Sequence, residues 1–211
     1  MELSEAMRTA ATIRRFRPDP VSDDLLYRVL DSARFAPSGG NRQGWHVIVV
    51  RDQALRTRLK ELYLLTWRPA YQTQLVHAVE GNHYAEHLDE LPVHLVVMVE
   101  RAALLTPFPA LNESPFASGS SIYPFVQNLV LAIRSEGLGT SLTMLLINEE
   151  AEVKRLLAIP DGFALAAHLG MGWPAQPHLT RLRRRRVEEF TSVDRFGGNP
   201  LRTGDPVPGS P

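Results

Sequence analysis

Apolar positions recur along the chain with two periods that take turns. Leu25, Leu26, Val29, Leu30 and Ala33 repeat at helical spacing. Ser22, Asp23 and Asp24 precede them, a hydroxyl cap followed by acids at the positive end of the helix dipole. Pro37-Ser38-Gly39-Gly40-Asn41 breaks that helix, and the apolar run His46–Val50 predicts a buried strand. Asp52 is placed to cap a helix carrying Leu55, Leu59, Leu62 and Leu65. Between Trp67 and Glu90, aromatics, Pro69 and Gly81 mix with a helical-looking Asn82–Leu88, which predicts an excursion that covers something.

Pro92 introduces Val93–Val99, a strand rich in β-branched residues, and the three prolines within Thr106–Ser118 predict a loop. Ile122, Phe125, Val126, Leu129 and Ile133 then mark a long helix, apolar nearly all round, suited to the centre of a fold or a subunit interface. Gly137 ends it, and Leu138–Leu145 predicts another strand. Asn148 is read as the cap of a short helix ending near Leu157, after which Pro160 and Gly162 turn the chain into a last strand, Phe163–Gly172. Strands separated by helices predict an α/β or α+β fold with helices packed on a sheet. No linker divides the chain, so one domain is expected over residues 1–197, followed by a Gly/Pro-rich tail or arm at 198–211.

Composition removes whole classes of function. The 211 residues carry 23 Lys and Arg against 23 Asp and Glu, so electrostatics gives no reason to expect nucleic acid or an anionic membrane as a partner. The absence of cysteine excludes disulfides, thiolate metal sites and a cysteine nucleophile. The N-terminus Met1-Glu2-Leu3-Ser4-Glu5 lacks the basic and apolar regions of a signal peptide, and Leu95–Val99 is far short of a membrane span of about 20 residues. The expectation is a cytoplasmic protein.

The familiar nucleotide signatures are missing. Gly137-Leu138-Gly139 sits at a helix-to-strand junction, the reverse of what a dinucleotide loop needs, and neither a P-loop nor a G-x-S-x-G elbow occurs. His83-Tyr84-Ala85-Glu86-His87 matches the H-x-x-E-H pattern of inverted zinc proteases. No third ligand accompanies it, so no metal is expected and a zinc hydrolase using His83, Glu86 and His87 is only an alternative. Arg14 and Arg15, and the cluster Arg181, Arg183, Arg184, Arg185 and Arg186, are either solvated faces or guanidinium donors for a phosphate.

A resemblance chooses among these. Thr12-Ile13-Arg14-Arg15-Phe16, Pro20-Val21 and Ala36-Pro37-Ser38-Gly39-Gly40-Asn41-Arg42-Gln43-Gly44-Trp45 resemble the nitroreductase-like FMN oxidoreductases. Further matches follow in family order: Glu86-His87-Leu88 to Pro92-Val93, Gly119-Ser120-Ser121-Ile122-Tyr123-Pro124, Gln127-Asn128-Leu129, Gly137-Leu138-Gly139-Thr140, Ile159-Pro160 and Leu169-Gly170-Met171-Gly172-Trp173-Pro174. The likeness implies a homodimeric α+β fold, a three-layer α-β-α arrangement whose central, mostly antiparallel sheet is wrapped by helices. It implies FMN at the subunit interface, NAD(P)H as electron donor and a small conjugated or aromatic acceptor reduced in a ping-pong cycle. Thr12 would lie near the flavin phosphate or ribityl chain, with Arg15 beside it. Arg14 would lie near the pyrimidine edge, tuning the ring in place of any catalytic acid or base.

Pro37, Ser38, Gly39 and Asn41 look like the loop contributed across the dimer. Thr143, Met144 and Leu145 look like the strand end beside flavin N5 and O4, and Arg184 like the late phosphate ligand. Two positions depart from the pattern. Ala10-Ala11 stands where the family often has Arg and another basic or polar residue, leaving Arg8 or a neighbour in the 181–186 cluster to supply the first phosphate arginine, and Gly44 replaces a proline, which should loosen the turn before Trp45. A flavin-destroying or dehalogenating enzyme of the same fold, or a non-catalytic interaction protein, remains the alternative within the resemblance.

Overall fold

The computed structural model describes residues 1–72, 78–106, 108–114, 117 and 119–202. Its strands are β1 (Trp45–Val50), β2 (Val93–Glu100), β3 (Gly139–Thr143) and β4 (Phe163–Gly172). They form one antiparallel sheet in the order β1-β2-β4-β3. The helices are α1 (Leu3–Thr9), α2 (Asp23–Ala33), α3 (Gln53–Gln72), α4 (Ala78–Glu86), α5 (Arg101–Leu104), α6 (Pro109–Asn112), α7 (Tyr123–Ser135) and α8 (Glu150–Leu157).

Side chains alternate across a strand, and β2 uses both faces. Val93, Leu95, Val97 and Val99 join α2 and α7 in one core, while Val96 and Met98 join α3, α4 and α8 in the other. This is the three-layer α-β-α arrangement of the α+β class. Val97 faces Ala167 and Met98 faces Leu165, which leaves Ala166 as the extra residue of a bulge. Ser22 caps α2 by accepting the Leu25 amide at 3.3 Å, and Asp52 accepts the Leu55 amide at 2.9 Å ahead of α3.

Several elements differ from expectation, each for a local reason. The helix that follows Asp52 continues past Leu65 into the segment expected as an excursion and runs to Gln72 through Pro69. Tyr63, Trp67 and Tyr71 stack at successive four-residue steps, 6.2 and 6.3 Å apart, and carry it past the proline. The helix expected at Asn82–Leu88 is α4, which starts at Ala78 and stops before His87; residues 73–77 lie outside the described residues. The segment expected as a loop at Thr106–Ser118 contains α6, closed by paired bonds between Thr106 and Asn112; residues 107, 115, 116 and 118 lie outside the described ones. Strand β3 stops at Thr143, whose hydroxyl accepts the Leu145 amide at 3.2 Å and turns the chain into a 3-10 helix. Asn148 does not cap α8; its amide donates to the Leu145 carbonyl at 3.2 Å, and Glu149 holds the cap position. Nor is α7 apolar all round: Phe125, Val126, Leu129, Ala132 and Ile133 make one buried stripe, while Gln127 is exposed.

The chain divides into two compact units, Met1–Thr180 and Arg181–Pro211. The expected tail boundary at 197/198 falls inside the second. That unit contains the short 3-10 turn Val187–Glu189, with the Val193 amide bonded to the Asn199 carbonyl at 2.8 Å.

Under the α3/α4 layer lies a buried polar pair. His94 Nδ1 and His168 Nε2 are 2.8 Å apart and their rings stack at 5.0 Å, with Tyr63 beyond His168 at 6.5 Å. Burial pushes His94 down to about 4, with Arg56 adding to the effect; burial and then His94 hold His168 well below the ordinary histidine range. Both histidines are therefore neutral at pH 7, and the unfolded chain, with histidines near 6.5, takes up more protons below that pH. Stability should be complete above about pH 6.5 and fall as the pH drops towards 4, by up to about 1.4 kcal/mol per pH unit for each titrating histidine. Urea unfolding between pH 8 and 5 tests this. A double variant His94→Leu/His168→Met should show a shallower slope, and an unchanged slope would assign the acid sensitivity to other groups.

Candidate functional site

After α1 the chain forms an extended ribbon fixed to the ends of two strands. The Ile13 amide donates to the Thr140 carbonyl at 2.9 Å, and Thr12 makes a parallel bridge to Thr140 of β3. Beyond β4, Arg17 N–H donates to Trp173 O at 2.8 Å, Ala175 N–H donates to Arg15 O at 3.0 Å, and Phe16 bridges Pro174. Thr12, Arg14 and Arg15 thus have a fixed backbone while their side chains are exposed. Among the described residues Arg14 has no side-chain hydrogen bond or ion pair. Its charge acts on Tyr63, Tyr84 and Glu80, pulling each towards its ionised form.

Arg15 is already engaged. Its Nε and Nη2 fork onto Glu80 of α4 at 2.9 and 3.2 Å. That hydrogen bond, more than the charge, holds the Glu80 carboxyl below its usual range. With 43% and 56% of the two side chains exposed, the pair contributes little stability and serves to tether α4 to the ribbon.

The strand end is adjacent in register. Thr143 pairs with His168, Leu145 opens the 3-10 turn, and exposed Met144 accepts from the Tyr123 hydroxyl at 3.9 Å. Tyr63 is legible in the sequence only as a helical position, yet its phenol lies near Thr143. Burial raises its pKa, while Thr143 and then Arg14 draw it back. Beneath it, Tyr84 Oη lies against Ser141 and Gly170 without a partner in hydrogen-bonding geometry, and burial holds the phenol protonated. Gly170 is required there, since a Cβ would collide with that oxygen and with Leu91.

The loop Pro37–Asn41 is built from hydroxyl–amide bonds. Ser38 Oγ accepts the Gln43 amide at 3.0 Å, and Gly39 N–H donates to Ser121 Oγ at 2.9 Å. Gly40, Asn41 and Gln43 have φ of 61°, 53° and 51°, so Asn41 sits in the left-handed region that its side chain tolerates. Ser121 thereby joins this loop to the turn before α7, and Arg42 extends it by donating to the carbonyls of Ala103 and Leu105. Gly44 does not loosen the following turn. A Cβ there would collide with Ala103 of α5, so the glycine permits a close approach.

The remaining candidates have other employment. His83 and His87 stack at 4.2 Å, His87 Nδ1 binds the His83 carbonyl at 2.8 Å, and Glu86 pairs with Arg68 at 3.5 Å. No group of three or more His, Cys, Asp or Glu side chains able to hold a metal occurs among the described residues. Asn128 donates to the Ala33 carbonyl at 3.5 Å, and Trp45 stacks on Phe125 at 4.8 Å. Arg184 belongs to the second unit, exposed, with Nη1 donating to the Arg183 carbonyl at 2.8 Å. Among the described residues no helix is long and apolar enough to cross a membrane.

The two serines give the loop its shape, so each should be measurable alone. Ser38→Ala should speed amide exchange at Gln43 and Ser121→Ala at Gly39, each by the loss of a bond worth about 0.5–1.5 kcal/mol. Hydrogen exchange read at single residues checks this. Equal protection in variant and parent would mean the amides are held otherwise.

Comparison with known proteins gives a consistent result. The family model described as the nitroreductase family matches residues 7–173. The chain is 34% identical over 177 residues to a protein named NADH dehydrogenase from Thermus thermophilus, covering 78% of this chain and 83% of that one. It is 30% identical over 170 residues to a 5,6-dimethylbenzimidazole synthase from Rhodospirillum rubrum, covering 79% of each. A crystal structure of oxidized iodotyrosine deiodinase bound to FMN and 3-iodo-L-tyrosine superposes with a TM-score of 0.70 at 24% identity, over 90% of this chain and all of that one.

Proposed function

The chain belongs to the nitroreductase family, and from that membership we propose that it is an FMN-dependent oxidoreductase. In this reading NAD(P)H is the electron donor, the acceptor is a small conjugated or aromatic molecule, and the two half-reactions alternate in a ping-pong cycle. The observation that carries it is the ribbon of residues 12–17, whose hydrogen bond to Thr140 sets Thr12 and Arg14 beside the β3 strand that ends at Thr143. The Thermus thermophilus relative named NADH dehydrogenase supports the donor. A homodimer in the cytoplasm is part of the same proposal.

The residues present fit the cofactor. A flavin mononucleotide asks for cationic and hydroxyl donors at its phosphate and pyrimidine ends, and it asks for no acid–base triad. Thr12 offers an exposed hydroxyl and Arg14 an exposed guanidinium on a fixed backbone. When bound, FMN supplies the redox chemistry, accepting hydride from the nicotinamide and returning electrons to the acceptor. In this scheme Thr12 donates towards the phosphate or ribityl chain, and Arg14 stabilises negative charge at the pyrimidine edge. Arg15, held by Glu80, fixes the ribbon under them. Thr143, Met144 and Leu145 border the reacting edge, the Pro37–Asn41 loop reaches the site of the second subunit, and Arg184 binds phosphate.

A second reading keeps the cofactor and changes the reaction. Relatives named 5,6-dimethylbenzimidazole synthase and iodotyrosine deiodinase favour flavin destruction or dehalogenation as alternatives. Incubation of the loaded protein with NADH, against a nitroaromatic acceptor, against iodotyrosine and against oxygen alone, separates the three by product.

Purified protein should be yellow, release FMN rather than FAD on denaturation, and be bleached by NADH or NADPH without air. A colourless protein that takes up no added FMN would overturn this reading in favour of a non-catalytic role.

Arg14→Ala should lower the FMN midpoint potential. A charge-assisted hydrogen bond contributes about 1.5–3 kcal/mol, and for a two-electron couple about 1.4 kcal/mol corresponds to 30 mV, so the expected drop is about 30–60 mV. Arg184→Ala should weaken FMN retention and leave the potential nearly unchanged. Redox titration of both variants is the check, and equal shifts would remove Arg14 from the ring edge.

A further inference from the structure

The segment that leads into the ribbon has alanines at 10 and 11, and beneath them the fold leaves a notch of about 10 Å³. Its lining includes Ala10, Ala11, Thr140, His178 and Arg134 from the last turn of α7. The guanidinium of Arg134 is anchored on one side only. Its Nε donates to Thr9 Oγ1 at 3.0 Å, and Thr9 in turn donates to the Glu5 carbonyl at 2.7 Å. Among the described residues its two Nη groups have no hydrogen-bond or ion-pair partner. The nearby carboxylate of Glu136 is taken by Arg28 through a bond of 3.0 Å. His178 binds the Gly137 carbonyl through Nε2 at 3.1 Å, while its Nδ1 is buried with no partner.

A guanidinium with its inner nitrogen fixed and its outer pair unengaged suits recognition of a phosphate monoester. The notch itself is sized for one water, so a phosphate would lie outside it, over the two alanines. We propose that Arg134 supplies the phosphate-binding guanidinium that residues 10 and 11 lack. This rests on the FMN reading above and deepens it. Of the other guanidinium sources suggested by the sequence, Arg8 does not line the notch.

Apoprotein titrated with FMN and with riboflavin, followed by flavin fluorescence, tests the assignment because the two ligands differ only in the phosphate. Arg134→Ala should weaken FMN binding about 10- to 100-fold and leave riboflavin binding unchanged. Inorganic phosphate should compete with FMN on the parent protein and much less on the variant. Arg134→Lys should recover part of the loss, as should Ala10→Arg added to Arg134→Ala. Should Arg134→Ala weaken both flavins equally, or neither, Arg134 is a structural residue and the proposal fails while the FMN reading stands. A parent protein that binds neither flavin would overturn both.

Discussion

The seven residues of β2 before Glu100 are buried, and a strand without a solvent face has to be covered twice. That constraint accounts for the layering: α2 and α7 on one side, α3, α4 and α8 on the other. It also settles the neighbours of β2, because a fully buried strand cannot lie at a sheet edge without leaving its ladder of amides and carbonyls unpaired. β1 and β4 take those two positions. β3 is then left outside β4, with an edge to which the ribbon of residues 12–17 attaches through Thr140. The candidate site is therefore a consequence of where the sheet runs out of apolar sequence.

Elements governed by local chemistry were legible in the sequence. Ser22 and Asp52 cap helices as their positions predict, and Phe163–Gly172 is a strand with the expected bounds. Where one local contact displaces another, the sequence misled. Pro69 is tolerated within α3 because an aromatic row crosses it, and Thr143 stops β3 early because its own hydroxyl captures the next amide but one. Asn148 is of a residue type that caps helices, yet its amide turns back to Leu145.

The candidate site divides along the same line. Short segments with fixed backbones could be singled out by the resemblance: Ser38, the glycines and Asn41 of the 37–43 loop, and the ribbon beginning at Thr12. Side chains that approach from helices could not. Tyr63, Tyr84 and Arg134 lie on helices, and only the folded chain brings Tyr63 near Thr143 and Arg134 to Thr9 and the notch at Ala10 and Ala11. Gly44 shows the limit from the other side. As a departure from a motif it reads as a loosened turn, whereas its real determinant is Ala103, some sixty residues further along the chain.

The arginines make the last point about how function is distributed here. Arg15 is paired with Glu80, Arg28 with Glu136 and Arg186 with Glu188, so much of the chain's balanced charge is spent on tethers at the surface. Arg14 and Arg134 differ from these. The first has no side-chain partner among the described residues, and the second is held only through Nε. An unengaged guanidinium keeps its hydrogen-bonding capacity for a ligand, and its planar fork loses less freedom per bond formed than a flexible ammonium would. Composition sees only equal numbers of acids and bases. The distinction between a spent cation and an available one exists only once the acids have found their partners.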